Sequence, residues 1–214
     1  MENYCKSVTF VINGKEHSKM NVDKDLRVGK SLSVVDDAMK CKDACPWYAI
    51  RLFTSCQNGV SEALKEYGLE CFIPMEYVNV DMEKQSQVKL RPVVHNLLFL
   101  KKTRTEHEIR TILSTLPFHL SVIRKERESS HFYEIPAWQM FEFQIMCDPD
   151  ILTRKFLSED NAKLKAGIPV VVQYGPLKGM TGKLVRSNKK YFLLKVLPGL
   201  GVMLKVSRWC CRPL

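Results

Sequence analysis

The sequence predicts an α+β fold: an antiparallel sheet with helices on one face, followed by a small β-barrel. Three observations carry this. Between residues 47 and 124, apolar runs alternate with helix-spaced apolar residues in the order strand, helix, strand, strand, helix, strand. From Gly167 onward the pattern changes to short β-branched runs separated by Gly/Pro turns. Charge divides near the same place. Residues 163–214 carry eleven Lys and Arg and no Asp or Glu, so that segment is +11 and the remainder is −1 of a net +10.

Residues 1–45 read as an N-terminal extension. "SVTFVINGKEH" fits a strand with Val8, Phe10 and Ile12 on one face, entering an Asn13-Gly14 turn. The polar stretch after it has no strong period and reads as a flexible arm. Residues 46–147 form the first domain. "WYAIRLF" (47–53) is its first strand, apolar on both faces apart from Arg51, as a covered sheet strand would be. Val60, Ala63, Leu64 and Tyr67 then mark a helix face, with Gly68 at the C-cap. "ECFIPMEYV" (70–78) resumes a strand, and "NVDMEKQSQVKL" reads as a hairpin tip or mobile loop. "RPVVHNLLFLK" (91–101) is the next strand, followed by a helix with Ile109, Ile112, Leu113 and Leu116 on one face. Pro117 ends that helix and "FHLSVIR" is the last strand. Pro136 at N1, with Trp138, Phe141 and Ile145 at helical spacing, predicts a further short helix.

Residues 148–166 mix charges without a strand pattern and read as a linker, leaving 167–214 for the barrel. Its runs are "IPVVVQY", "TGKLVR", "YFLLKVL" and "GVMLKVSRW". The glycines of "VVVQYGPLKGMTGKL" fit a barrel that turns its corners within a few residues. Gly175 and Gly179 can take positive φ, Pro176 fixes the turn between them, and Leu177 and Lys178 project outward. Gly182, in the following strand, lets another backbone approach.

Composition narrows the function. A segment of eleven cations without an acid attracts polyanions such as RNA or DNA, because ordinary surfaces intersperse both signs. The eight cysteines are scattered and read as free thiols; Cys41-Cys45 lacks the second pair of a structural zinc site, and no metal or cofactor is expected. The five histidines show no HExxH spacing, and no P-loop or GxSxG elbow is present, so an enzyme is not expected. No run of 18 uncharged apolar residues and no signal-peptide h-region is found, which predicts a cytoplasmic protein without membrane association.

"AGIPVVVQYGPLKGMTGKLVR" resembles a KOW motif, the glycine-centred turn of SH3-like barrels, with Gly175, Pro176, Leu177, Lys178, Gly179 and Gly182 at its turn. "WYAIRLF", a helix, "ECFIPMEYV", a spacer and "NLLFLKKT" are similar, in that order, to the N-terminal (NGN) domain of NusG-type transcription elongation factors. "RPVVHNLLFLKKT", "IPAWQMFEFQIM" and "LPGLGVMLKVSRWCC" look most like the specialised UpxY branch, associated with antitermination in long surface-polysaccharide operons. The resemblance implies that the first domain binds the clamp helices of the RNA polymerase β' subunit through an apolar sheet patch. Carried over, that patch is Leu97 and Phe99 beside Arg51 and Phe53. It also implies a barrel that recruits ribosomal protein, termination factor or another regulatory protein. Val94-His95-Asn96-Leu97 stands where the family shows Phe-Pro-Gly-Tyr or Phe-Pro-Asn-Tyr, and Leu177 replaces a Phe typical of the barrel turn.

Two pairs of alternatives stay open. Leu97 and Phe99 form either the exposed patch, with Leu98 and Leu100 buried, or the core under a helix. Lys101, Lys102, Arg104 and Arg110, at the start of the second helix, either reach non-template DNA or form a solvated helix start with Glu106 and Glu108. The main alternative function is a KOW-type RNA-binding or ribosome-associated protein, contacting RNA through the basic barrel. Long helix-forming stretches are missing from 163–214, which predicts β structure there throughout and no fold switch.

Overall fold

The computed structural model describes residues 11–12, 15–16, 45–54, 56–82, 85–126, 129–149, 153–175 and 177–214, in two units, 1–31 and 32–214. In the first unit, β1 (Val11–Ile12) and β2 (Lys15–Glu16) pair antiparallel on either side of the expected Asn13-Gly14 turn. The remainder of the arm to residue 44, including Val8, Phe10 and Cys41, lies outside the described residues, as does Pro176.

The second unit is built on β3 (Trp47–Leu52), which is buried at every residue except Arg51. After it come α1 (Gln57–Glu66), β4 (Cys71–Phe72), β5 (Met75–Met82), β6 (Gln85–Pro92), β7 (Leu97–Lys101), α2 (Glu106–Thr115) and β8 (Leu120–Val122). β4, β7, β3 and β8 form one antiparallel sheet in that order, with Tyr48 opposite Leu100 and Ile50 opposite Leu98. Alternation along the strands sends Tyr48, Ile50, Leu52, Leu98 and Leu100 to one face, where Val60 and Leu64 of α1 and Ile109, Ile112 and Leu113 of α2 cover them.

Local chemistry places both helices as expected. Gly68, at φ +72°, follows the end of α1. α2 opens on a capping box in which Thr105 Oγ1 accepts from the Glu108 amide while the Glu108 carboxylate accepts from the Thr105 amide. The polar excursion is a hairpin, β5 paired with β6 from Met75 opposite Pro92 to Met82 opposite Gln85. The strand expected over 91–101 is divided: β6 ends at Pro92 and β7 begins at Leu97, with a bend and turn over 93–96 between them.

α3 (Ala137–Met146) buries Met140, Glu142, Phe143 and Met146, not the expected Trp138, Phe141, Ile145 face, and Pro136 is its N-cap residue, not N1. In "AWQMFEFQIM" apolar residues surround the helix, so periodicity fits more than one face and tertiary contact selects. The stretch read as a linker holds β9 (Arg154–Ser158) and α4 (Glu159–Lys163), whose N-cap Ser158 accepts from the Asn161 amide. β10 (Ile168–Val172), β11 (Thr181–Ser187), β12 (Lys190–Leu197), β13 (Leu200–Lys205) and, after a 3₁₀ turn at Arg208–Cys210, β14 (Cys211–Pro213) complete the chain.

Among the described residues these strands make an open six-stranded sheet, ordered β14-β10-β11-β12-β13-β9, where a closed barrel was expected. β9 takes the free edge of β13 from Leu200 opposite Ser158 to Leu204 opposite Arg154. That edge is thereby used by a strand from the expected linker. The turn glycines behave as read: Gly175 and Gly179 have φ of +88° and +89°. Leu177 departs from the expectation, because its side chain packs against the core while Lys178 is exposed.

A Cβ at Gly182 would lie 2.8 Å from the Leu194 carbonyl oxygen and 2.9 Å from Leu193 Cδ1. Gly182→Val is therefore expected to destabilise the chain by about 1–3 kcal/mol through overpacking. Urea denaturation checks this, and an unchanged midpoint would contradict the close approach.

Candidate functional site

The face of the four-stranded sheet opposite α1 and α2 is apolar as well. Trp47 and Ala49 of β3, Leu97 and Phe99 of β7 and Phe72 of β4 line it, with Arg51 at its rim. Leu97 is 3% exposed and Phe99 0%. The exposed alternative fails and the buried one holds: these residues are core under a helix, which is α3 and not either of the sheet's own two helices. Phe99 meets Phe143 of α3 edge to face at 5.4 Å. Val170, Val172, Leu184, Leu193, Leu197, Leu200, Val202 and Leu204 of the C-terminal sheet share the same core. Phe53 stays 62% exposed beside His119, and Arg51 is exposed. The expected patch thus divides into a buried pair and an open rim.

This arrangement of strands and helices agrees with the order read from the sequence. Residues 46–144 match the NusG family. The family model is described as transcription termination factor NusG, and it spans the four-stranded sheet, its two helices and most of α3. It spans none of the C-terminal sheet. No curated protein matches the chain.

Contacts that sequence reasoning missed join the NusG-like domain to the C-terminal sheet. Gly199, at φ +89° in the β12–β13 turn, sits under Leu97: a Cβ there would be 2.8 Å from Leu97 Cδ1. The Glu159 carboxylate at the start of α4 holds that turn by accepting from the Gly199 amide at 2.6 Å and pairs with Lys163 at 2.6 Å. Deeper in, Glu142 of α3 forms an ion pair with Lys195 of β12. Its carboxylate also accepts from the Thr181 amide at 3.1 Å and hydroxyl at 3.2 Å. Both charged residues are buried, and Lys195 lies 5.2 Å from the Trp138 ring centroid. Burial pushes the Lys195 ammonium down, to about 7, while the carboxylate against it favours the charged form. A sequence signal existed. Glu142 is the one charged residue of α3, and Lys195 the one charged residue of "YFLLKVL".

The four basic residues assigned to nucleic acid each have an internal partner. Lys101 pairs with Glu70 at 2.9 Å, Lys102 with Glu134 at 2.5 Å and Arg110 with Glu106 at 2.7 Å. Arg104 donates to the Tyr67 carbonyl at 2.8 Å. The Glu134 carboxylate bound to Lys102 raises the lysine above its ordinary value. The six described cysteines are free. No described helix is long and apolar enough to cross a membrane, and no group of three or more metal-ligating side chains occurs among the described residues.

Removing one partner of a buried ion pair leaves an uncompensated charge, whereas replacing both with apolar groups is often neutral. Glu142→Gln and Lys195→Met are each expected to destabilise the chain by about 3–5 kcal/mol, and the double variant to recover most of the loss. A double-mutant cycle in urea decides it. Additive losses would show that the two residues act independently.

Proposed function

We propose that this chain is a transcription elongation factor that suppresses pausing or termination, with RNA polymerase bound through the apolar face of its NusG-like domain. The NusG match over residues 46–144 supports a non-enzymatic factor of the elongation and termination class. The single observation that carries the polymerase-binding reading is a sheet with two apolar faces, one covered by its own helices and the other carrying Leu97 and Phe99. Such a face suits docking onto the clamp helices of the β' subunit. Arg51 and Phe53 at the rim supply an exposed cation and ring for first contact.

In this reading the C-terminal sheet and the polymerase compete for one surface. Polymerase binding requires the sheet to separate from Leu97, and the Glu142–Lys195 pair opposes separation. The apparent affinity is lowered by the small fraction of open molecules, and anything that weakens the latch raises it. The resemblance to the UpxY branch extends the proposal to long surface-polysaccharide operons and a cytoplasmic setting. Lys101, Lys102, Arg104 and Arg110 are proposed to lie along the non-template DNA, where phosphate would compete with their present partners. The C-terminal segment is proposed to be a KOW module, supported by the glycine turn at 175–179, with ribosomal protein or a regulatory protein as its protein partner.

A second reading, an RNA-binding or ribosome-associated protein, is favoured by one observation: the eleven cations of residues 163–214, a segment with no acidic residue of its own. Capture of core RNA polymerase from the same organism separates the two. Glu142→Gln is expected to raise capture about tenfold or more over wild type by opening the face. Arg51→Glu/Phe53→Asp, both at exposed positions, is expected to abolish capture with the fold intact by circular dichroism. No capture by either wild type or Glu142→Gln would sink the polymerase reading.

A further inference from the structure

Trp209 is 91% exposed and Tyr174 66%, and neither belongs to a core cluster. They are neighbours: β10 and β14 pair with Val172 opposite Cys211, and one step further the Gln173 amide donates to the Cys210 carbonyl at 2.7 Å. The 3₁₀ turn at Arg208–Cys210 holds the indole out from the sheet end. A lone exposed ring needs no explanation, but two exposed rings brought to one sheet end by backbone register, in a segment rich in cations, are a different surface.

The same rim continues through Arg208. Its guanidinium lies 5.9 Å from the Tyr191 ring centroid, and Arg186, opposite Tyr191 in the β11–β12 ladder, approaches that ring at 5.9 Å as well. Arg212 and Lys178 are exposed as well, on β14 and in the 175–179 turn. The run is therefore Tyr174, Trp209, Arg208, Tyr191, Arg186, in a segment without one acidic residue. Cations of this density attract phosphate, and flat exposed rings offer a π-face, which a protein surface rarely needs but an unstacked base does.

We propose that this rim binds single-stranded nucleic acid, with bases stacked on Trp209 and Tyr174 and the backbone tracked by Arg208, Arg186 and Arg212. The site lies outside the NusG match, so it adds to the elongation-factor reading without depending on it. Stacking on rings accepts any base, so the site has little sequence preference and selects strand state: a duplex buries its base faces and cannot use the rings.

The test measures fluorescence anisotropy of labelled twelve-residue oligo-U, oligo-dT and a matched RNA duplex with the full chain. Tyr174→Ala/Trp209→Ala is expected to weaken both single strands about tenfold or more with an unchanged salt slope. Tyr174→Phe/Trp209→Phe should restore binding, since a ring of either kind stacks. Arg186→Ala/Arg208→Ala should instead flatten the dependence of affinity on salt. Tighter oligo-U than oligo-dT would support the site and identify RNA as its source; the reverse would support it and identify displaced DNA. Wild-type affinity in the double alanine variant, or equal binding of duplex, heparin or an acidic peptide, would overturn the proposal. Oligonucleotide binding that persists in a chain unable to capture polymerase would sink the polymerase reading alone.

Discussion

A sheet with apolar side chains on both faces has to be covered twice, and the organisation of the second unit derives from that constraint. Alternation along β3 and β7 sends Ile50, Leu98 and Leu100 one way and Ala49, Leu97 and Phe99 the other. The two helices between the strands can reach only one face, because both connections cross on the same side. The opposite face therefore depends on the elements C-terminal to β8: α3, then the C-terminal sheet. A buried aromatic side chain such as Phe99 is worth on the order of 1.5–3 kcal/mol relative to exposure, so a chain with this face bare is poorly disposed to stay so.

Apolar contact alone does not fix how two such layers sit, because greasy surfaces slide. The Glu142–Lys195 pair and the Gly199–Leu97 fit supply what burial lacks. A shift of β12 along α3 would strand a carboxylate and an ammonium in the core and take Thr181 from its acceptor. Buried ion pairs add little net stability beside well-packed apolar groups, but the penalty for misplacing one is several kcal/mol. The pair therefore acts on register more than on cohesion. Gly199 adds a steric condition: only a residue without a Cβ lets the turn approach Leu97 this closely.

The element order of the NusG-like domain was legible because its strands are apolar runs and its helices carry one-sided apolar spacing with stop signals, Gly68 and Pro117 among them; the Thr105–Glu108 box was not read from the sequence. Three things were less so. α3 is apolar nearly all round, so its buried face was set by the sheet it meets and not by its own period. β9 is a five-residue edge strand among charges, which gains its hydrogen bonds from β13 and has no pattern of its own. The state of Leu97 and Phe99 depended on partners far along the chain, Gly199 for Leu97 and Phe143 for Phe99, and no local spacing reports those contacts. The buried pair was half legible, Glu142 as the one charge of α3 and Lys195 as the one charge inside the apolar run "YFLLKVL", once two apolar layers were known to meet there.

The charge partition gains a physical meaning from the two faces of the C-terminal sheet. Its inner side is used against the NusG-like domain, where the single cation Lys195 has its own carboxylate. Arg186, Arg208, Arg212 and Lys178 are exposed, as are Trp209 and Tyr174. The latch and the proposed stacking site therefore use different residues of one sheet. Under the proposed scheme, a nucleic acid on the rim would not have to displace the cover, and polymerase on the sheet face would leave the rim free. Once both are engaged, the rim is held near the polymerase by the chain itself, and the effective concentration for a nearby strand rises without any new contact. A non-selective stacking surface of modest affinity suits that geometry, because location and not base sequence then decides which strand it holds.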